Sequence, residues 1–285
     1  ILDKYWLKKK GIILTVFGEV YDSSDYVDRH KKLLKKLFNL PEFVLASSNH
    51  CGSSFKKIGI KREIETLFYG VDLDQKEGSD NRSKFRSENS FDKNDVIFLF
   101  FGRMNEDMGL DVLLSIIPDV LQRHDNAKFI IAGASGTLTL EAQEVASNSF
   151  GKVVVFENVP FKRLPEIYGS SDILLAPSFN QRACMGLSIK EAMAASIPVI
   201  ASKGGGISEA VVNDLTGYLI PLNDSGRTDT NDLIMKMSIL LQDPEKRIKF
   251  GREGRKRAEK LFSVEGTNKR FAEIILMTAK SHNIN

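Results

Sequence analysis

The chain has 285 residues, 40 basic against 37 acidic for a formal net charge of +3, with 42% hydrophobic and 27% charged residues. That mix describes a globular chain of roughly two domains able to bury a core, and so small a charge excess argues against a dedicated nucleic-acid binder. No run approaches the roughly 18 apolar residues of a membrane helix, and the opening ILDKYWLKKKG, with Ile1 first, lacks a signal-peptide pattern and reads as a truncation point.

In chain order, residues 11–17 (GIILTVF) predict a strand, 27–38 an amphipathic helix, 43–47 a strand, 53–58 a helix and 64–69 a strand. Three strands are too few for an independent α/β domain, so residues 1–73 read as the second half of one. Residues 74–95 carry almost no apolar side chain and read as an interdomain linker. From residue 96 strands and helices alternate: strand 96–101 (VIFLFF), helix 110–123, strand 128–132, helix 138–149, strand 153–156, helix 164–169. Strand 173–176, helix 187–195, strand 198–201 and strand 217–220 follow. This alternation predicts βαβ crossovers and a parallel, doubly wound sheet, whose ligands bind at the carboxyl ends of the strands. The end is helical over 231–242, 244–262 and 263–280, with Pro244 at a first-turn position and Ser263 as an N-cap. Residues 96–262 thus form the second domain and 263–285 a helix packing back toward the first.

Three segments fall just after predicted strand ends. In FFGRMNEDMGLDVLL (100–114), Gly102 permits a sharp turn and Arg103 projects into the crevice, where a guanidinium suits a diphosphate; a surface arginine is the plainer alternative. In APSFNQRACMGLSIKEAMAASIPVIAS (176–202), Gly186 opens a helix whose free amides at Gly186, Leu187 and Ser188 make an anion site. Glu191, one turn in, suits a ribose diol, or else merely complements the helix dipole. In SKGGGISEAVVNDLTGYLIP (202–221), Gly204, Gly205 and Gly206 permit close backbone approach, as they also do in plain loops.

Taken in order, these segments resemble glycosyltransferase family four, retaining enzymes of the GT-B type with two Rossmann-like domains, the first incomplete here. The resemblance rests on Gly102-Arg103 with Gly109, then Asp172, Pro177-Ser178, Gly186, Glu191-Ala192-Met193-Ala194 and Pro198-Val199, then Gly205-Gly206, Glu209 and Gly217. Tyr69-Gly70-Val71-Asp72 looks like the family's interdomain switch. The resemblance implies transfer of a sugar from a UDP- or GDP-type donor to an acceptor hydroxyl with retention, without a cofactor or metal. It implies catalytic roles for Arg103 on the diphosphate and Glu191 on the ribose. Phosphates would rest on Gly102, Gly186, Leu187 and Ser188, and the base in the loops after Ala132 and Phe156, with Gly133 and Val159. A glycan or lipid-linked acceptor would be the second substrate.

Three positions depart from the family pattern: Met108 stands where a phosphate-binding lysine is usual, Ala183 where a glutamate is, and Phe17 where a histidine is. Arg182 is then expected as the second cation, or as the partner of a negatively charged donor sugar. A subgroup with a different donor pocket, a catalytically silent nucleotide-sugar-binding module and a sugar-nucleotide epimerase or hydrolase on the same fold remain open. Residues 30–38 (HKKLLKKLF) and the eight cations of 246–260 read either as solvated faces or as contacts to an anionic membrane at its cytoplasmic side. Cys51 and Cys184 read as two reduced thiols of a cytoplasmic protein, and His50, His124 and His282 as surface residues without ligand spacing.

Overall fold

The computed structural model describes residues 11–16, 25–74, 79–180 and 184–281. The expectations placed on Phe17, Arg182, Ala183 and His282 lie outside the described residues. The first unit is built from β1 (Ile13–Val16), α1 (Asp25–Phe38), β2 (Phe43–Ala46), α2 (Asn49–Lys57) and β3 (Ile64–Thr66). Its strands pair in parallel in the order β1-β2-β3. Val44, Ala46 and Phe55 fill a small core between sheet and helices. Helix α2 begins four residues earlier than the periodicity predicts, because Ser48 caps it and accepts from the Cys51 amide.

Residues 74–95, expected from their polarity to be an interdomain linker, pack into the larger unit over their described part from residue 79 onward. They contain α3 (Ser79–Glu88), whose Phe85 is buried, with Phe91 buried just beyond it. Both rings belong to the core of the larger unit, where burying one phenylalanine contributes about 1.5–3 kcal/mol. A single inward-facing ring among ten otherwise polar residues leaves no periodicity to read.

The larger unit runs through β4 (Val96–Phe101), α4 (Leu110–Arg123), β5 (Ala127–Gly133), α5 (Thr139–Ser147), β6 (Val153–Glu157) and α6 (Leu164–Ser170). It continues with β7 (Ile173–Ala176), α7 (Leu187–Ala194), β8 (Val199–Ser202), α8 (Ile207–Ala210) and β9 (Gly217–Ile220). Six strands pair in parallel in the order β6-β5-β4-β7-β8-β9. Because strand side chains alternate, Phe98 and Phe100 of β4 enter one core while Ile97 and Leu99 enter the other. The uninterrupted apolar run of β4 therefore reflects a strand covered on both faces.

Three helices complete the described residues: α9 (Thr230–Gln242), α10 (Pro244–Leu261) and α11 (Val264–Ser281). Helix α11 returns to the first unit. Arg270 makes a two-pronged bridge to Glu65 at 2.7 and 2.9 Å, and Ser281 donates to Glu42 at 2.9 Å. Part of the basic character of α10 is structural. Arg247 donates to the Leu240 and Leu241 carbonyls, Arg255 to Ala194 and Leu73, and Arg257 to Glu209 and Ala210. Three of the cations taken as a surface face thus satisfy helix-end and loop carbonyls.

The reading of two separate reduced thiols is also corrected. Cys51 and Cys184 form a disulfide across 133 residues of sequence, with Cα atoms 6.2 Å apart. Contact between the two units brings the start of α2 against the loop between β7 and α7, so the sequence separation says nothing of the spatial one.

Candidate active site at the carboxyl edge of the larger sheet

The carboxyl ends of β4, β5, β6 and β7 gather the predicted residues. The loop after β4 is tied to the loop after β5 by backbone bonds: Gly102 N to Ala132 O at 3.0 Å, Met104 N to Ala134 O at 2.9 Å and Leu138 N to Met104 O at 2.8 Å. Asn105, which sequence reasoning missed, adds a side-chain tie by accepting from the Thr137 amide at 2.8 Å. Arg103 projects from this fixed loop with its side chain 61% exposed and, among the described residues, only Asp107, at 3.1 Å, as its side-chain partner. An exposed i,i+4 pair contributes about 0–1 kcal/mol and is easily exchanged for a stronger anion. Met108 is partly buried and packs against the core.

Gly133 ends β5 with φ 135°, and a Cβ there would strike the Gly102 carbonyl, so only glycine lets the two loops meet. Its carbonyl accepts from the Asn158 amide, which pulls the loop after β6 alongside. Asn158 and Ser135 exchange two hydrogen bonds, and Ser135 donates to Glu157 at 2.7 Å. The Val159 side chain turns inward to the core, so what it can present to a ligand is backbone.

Gly186 takes φ 71° and ψ 121° and opens α7 with no side-chain cap. Gly186 and Leu187 are exposed and Ser188 is half-buried. The first amides of α7 thus form an open positive end suited to an anion. One turn further, Glu191 is half-buried, and its Oε2 accepts from the Tyr168 hydroxyl at 2.7 Å. Burial raises the Glu191 pKa, while the Tyr168 hydrogen bond and the Lys190 charge act to lower it. Burial and the Glu191 charge push the Tyr168 phenol well above its ordinary value, so it remains a donor. Tyr168 is fully buried beneath the carboxylate and fixes one oxygen, while among the described residues nothing donates to the other. Nothing in the sequence marked Tyr168, which sits on α6 like any core aromatic.

Two motif residues lie elsewhere. Asp172 stands at the amino end of β7, away from the crevice, and accepts from Arg82 at 2.6 Å, Arg86 at 2.5 Å and the Ile97 amide at 2.8 Å. Glu209 reaches the first unit, where its carboxylate accepts from Asn49 N at 2.8 Å, Asn49 Nδ2 at 2.8 Å and His50 N at 2.7 Å. It satisfies the amino end of α2 and, with the Cys51–Cys184 bond, closes one side of the crevice. His124 pairs with Ser238 at 3.0 Å. Among the described residues no group of three or more His, Cys, Asp or Glu is placed to hold a metal ion, and no helix is long and apolar enough to cross a membrane.

Comparison with known proteins gives this geometry a family. Residues 81–257 match the model of glycosyl transferases group 1. Spore coat protein SA of Bacillus subtilis is 27% identical over 215 residues, 71% of this chain and 55% of that protein. A GDP-mannose-dependent alpha-(1-6)-phosphatidylinositol monomannoside mannosyltransferase of Mycolicibacterium smegmatis is 26% identical over 230 residues, 78% of this chain and 59% of that protein. The chain therefore spans little more than half the length of these relatives. Anabaena Alr3699/HepE, solved in complex with UDP, superposes with a TM-score of 0.78 at 19% identity, over 95% of this chain and 74% of that one. That likeness establishes the GT-B pairing of two Rossmann-like sheets. With more than half its length matched by the family model, the chain belongs to the glycosyl transferases group 1 family.

Proposed function

We propose that this chain supplies the donor-binding side of a glycosyltransferase that moves a sugar from a UDP- or GDP-type donor to an acceptor hydroxyl with retention of configuration. The observation that carries the reading is Glu191: one carboxylate oxygen is held by buried Tyr168 and the other is left to a ligand, one turn behind the uncapped start of α7. A ribose diol can donate to the free oxygen while the diphosphate rests on the amides of Gly186, Leu187 and Ser188. Arg103 exchanges Asp107 for a phosphate, gaining two charge-assisted hydrogen bonds in place of one exposed pair. The base lies against the joined loops of Gly133 and Val159. These fixed donors stabilise the departing diphosphate, so catalysis is positioning and charge stabilisation that needs no metal ion. UDP in the Anabaena neighbour and GDP-mannose in the mycobacterial relative's name support the donor class.

The acceptor in this reading is a glycan or a lipid-linked saccharide presented at the cytoplasmic face of an anionic membrane. What favours the membrane side is α1, where Lys31, Lys32, Lys35 and Lys36 are all exposed and Leu33 is 53% exposed among them. Such a face gains about 1 kcal/mol per lysine at an anionic surface. The donor site is tested by calorimetric titration of UDP and GDP. Glu191→Ala should weaken the nucleotide that binds by about 1–3 kcal/mol, and a folded variant with unchanged affinity for both would overturn the assignment.

A further inference from the structure

The donor site does not account for Lys190. It lies on α7 one residue before Glu191, is 3% exposed, and donates from its ammonium to the Tyr69 carbonyl at 2.9 Å. The ammonium also lies over the ring of fully buried Phe262, 5.5 Å from its centroid. Burial lowers its pKa to about 8, with the Glu191 charge opposing. A methionine of similar volume would fill this space without desolvating a charge, and buried charges contribute little to stability for what they cost. Stability alone gives no reason for a lysine here.

Its partner does. Tyr69 begins the Tyr69-Gly70-Val71-Asp72 connection between the two sheets, which is clamped by its surroundings. Val71 donates to the Phe262 carbonyl at 2.8 Å and accepts from Val264 at 3.2 Å. Thr267 donates to the Phe68 carbonyl at 2.8 Å. Gly70 lies so close to the Val264 backbone that a Cβ would have no room. These bonds fasten the connection to α10 and α11. Two cations fasten it to α7: Lys190 from the middle of the helix, and Arg255, which bridges the Leu73 carbonyl to the Ala194 carbonyl at the helix end. Successive helix residues diverge by about 100°, so Lys190 faces the connection while Glu191 faces Tyr168 and the crevice.

We propose that Lys190 is a positioning residue that couples nucleotide occupancy at Glu191 to the order of the interdomain connection. This rests on the reading of Glu191 as the ribose acceptor. Through Lys190, α7 has one seating relative to the connection, and that seating sets the free carboxylate oxygen of Glu191. Coupling of this kind is reciprocal. If the tie improves nucleotide affinity, nucleotide must in turn steady the connection.

The experiment is amide hydrogen exchange of the full chain with and without UDP or GDP, on wild type, Lys190→Met and Lys190→Arg, with affinities from calorimetry. In wild type, nucleotide should slow exchange across residues 69–73. In Lys190→Met the ligand-free connection should exchange faster, the nucleotide-induced slowing should disappear, and affinity should fall by about fivefold, the low end of measured couplings. Lys190→Arg, which keeps a donor to Tyr69, should restore both. Slowing of equal size in wild type and Lys190→Met, or none in wild type with nucleotide bound, overturns the coupling and leaves the donor reading intact. If neither nucleotide binds wild type, the donor reading falls and the coupling with it.

Discussion

The two ends of the larger sheet handle charge in opposite ways. At the amino end, Asp172 accepts three short hydrogen bonds, and its arginines are committed in turn: Arg82 also donates to the Gly169 and Ser171 carbonyls, and Arg86 to those of Ser170 and Asp95. At the carboxyl end, among the described residues, Arg103 has a single exposed partner, Glu191 a single donor, and the start of α7 no side-chain cap. A cluster whose carboxylate and guanidinium groups are tied to one another and to backbone carbonyls holds the fold. One whose polar atoms are half paired holds a place for something else. Both Asp172 and Glu191 belong to the motif that suggested the family, and the difference in pairing separates their roles.

The largest effect should come from breaking the paired end. Asp172→Ala takes the counter-charge from two guanidinium groups and the acceptor from the Ile97 amide, and should lower the free energy of unfolding in urea by about 3–5 kcal/mol, with nucleotide affinity of the folded fraction unchanged. A loss under about 1 kcal/mol would remove the contrast between the ends. The disulfide joining α2 to the loop before α7 comes next. Its reduction by a dithiol should cost about 2–4 kcal/mol, read as a lower urea midpoint, and thiol titration of the native chain should find neither Cys51 nor Cys184 reactive until then. Reactive thiols in the unreduced protein would contradict the link.

The smallest effect sharpens the comparison within α7. Lys190 has its folded pKa lowered to about 8 against an ordinary 10.5. Between those values the unfolded chain binds more protons than the folded one, so this group makes stability rise with pH from about 8 toward 10.5, and disfavours folding most below about 8. Wild type should therefore gain stability relative to Lys190→Met between pH 7.5 and 9.5, by at most about 1.4 kcal/mol per pH unit. A difference that is flat or falls with pH would contradict burial of a charged lysine.

Much of the fold was legible because parallel strands covered on both faces leave uninterrupted apolar runs, as in Val96–Phe101. The carboxyl-edge site was legible because glycines, an arginine and a glutamate follow those runs at fixed intervals. What stayed hidden depends on pairing in space. Helix α3 is anchored by two arginines on Asp172 and one phenylalanine, none of which leaves a periodic trace. Tyr168 under Glu191, Glu209 on the amino end of α2, and Cys51 against Cys184 each join segments that no spacing connects. Lys190 was read only as part of a helix, since a buried lysine looks like a surface one until its carbonyl partner is seen.

The central claim is that the carboxyl edge is built for a nucleotide diphosphate and not for the stability of the fold. Thermal unfolding of wild type and Glu191→Ala, each with and without saturating UDP or GDP, tests it most directly. Removing Glu191 relieves the burial of its carboxylate but leaves the buried Tyr168 hydroxyl without its acceptor, so ligand-free stability should fall by no more than about 1–3 kcal/mol, the cost of one unpaired buried donor. A nucleotide held at 100 times its Kd should stabilise wild type by about 2.7 kcal/mol, and Glu191→Ala at the same concentration measurably less. A folded Glu191→Ala protein that gains as much from nucleotide as wild type would show that Glu191 does not hold the nucleotide and would contradict the account.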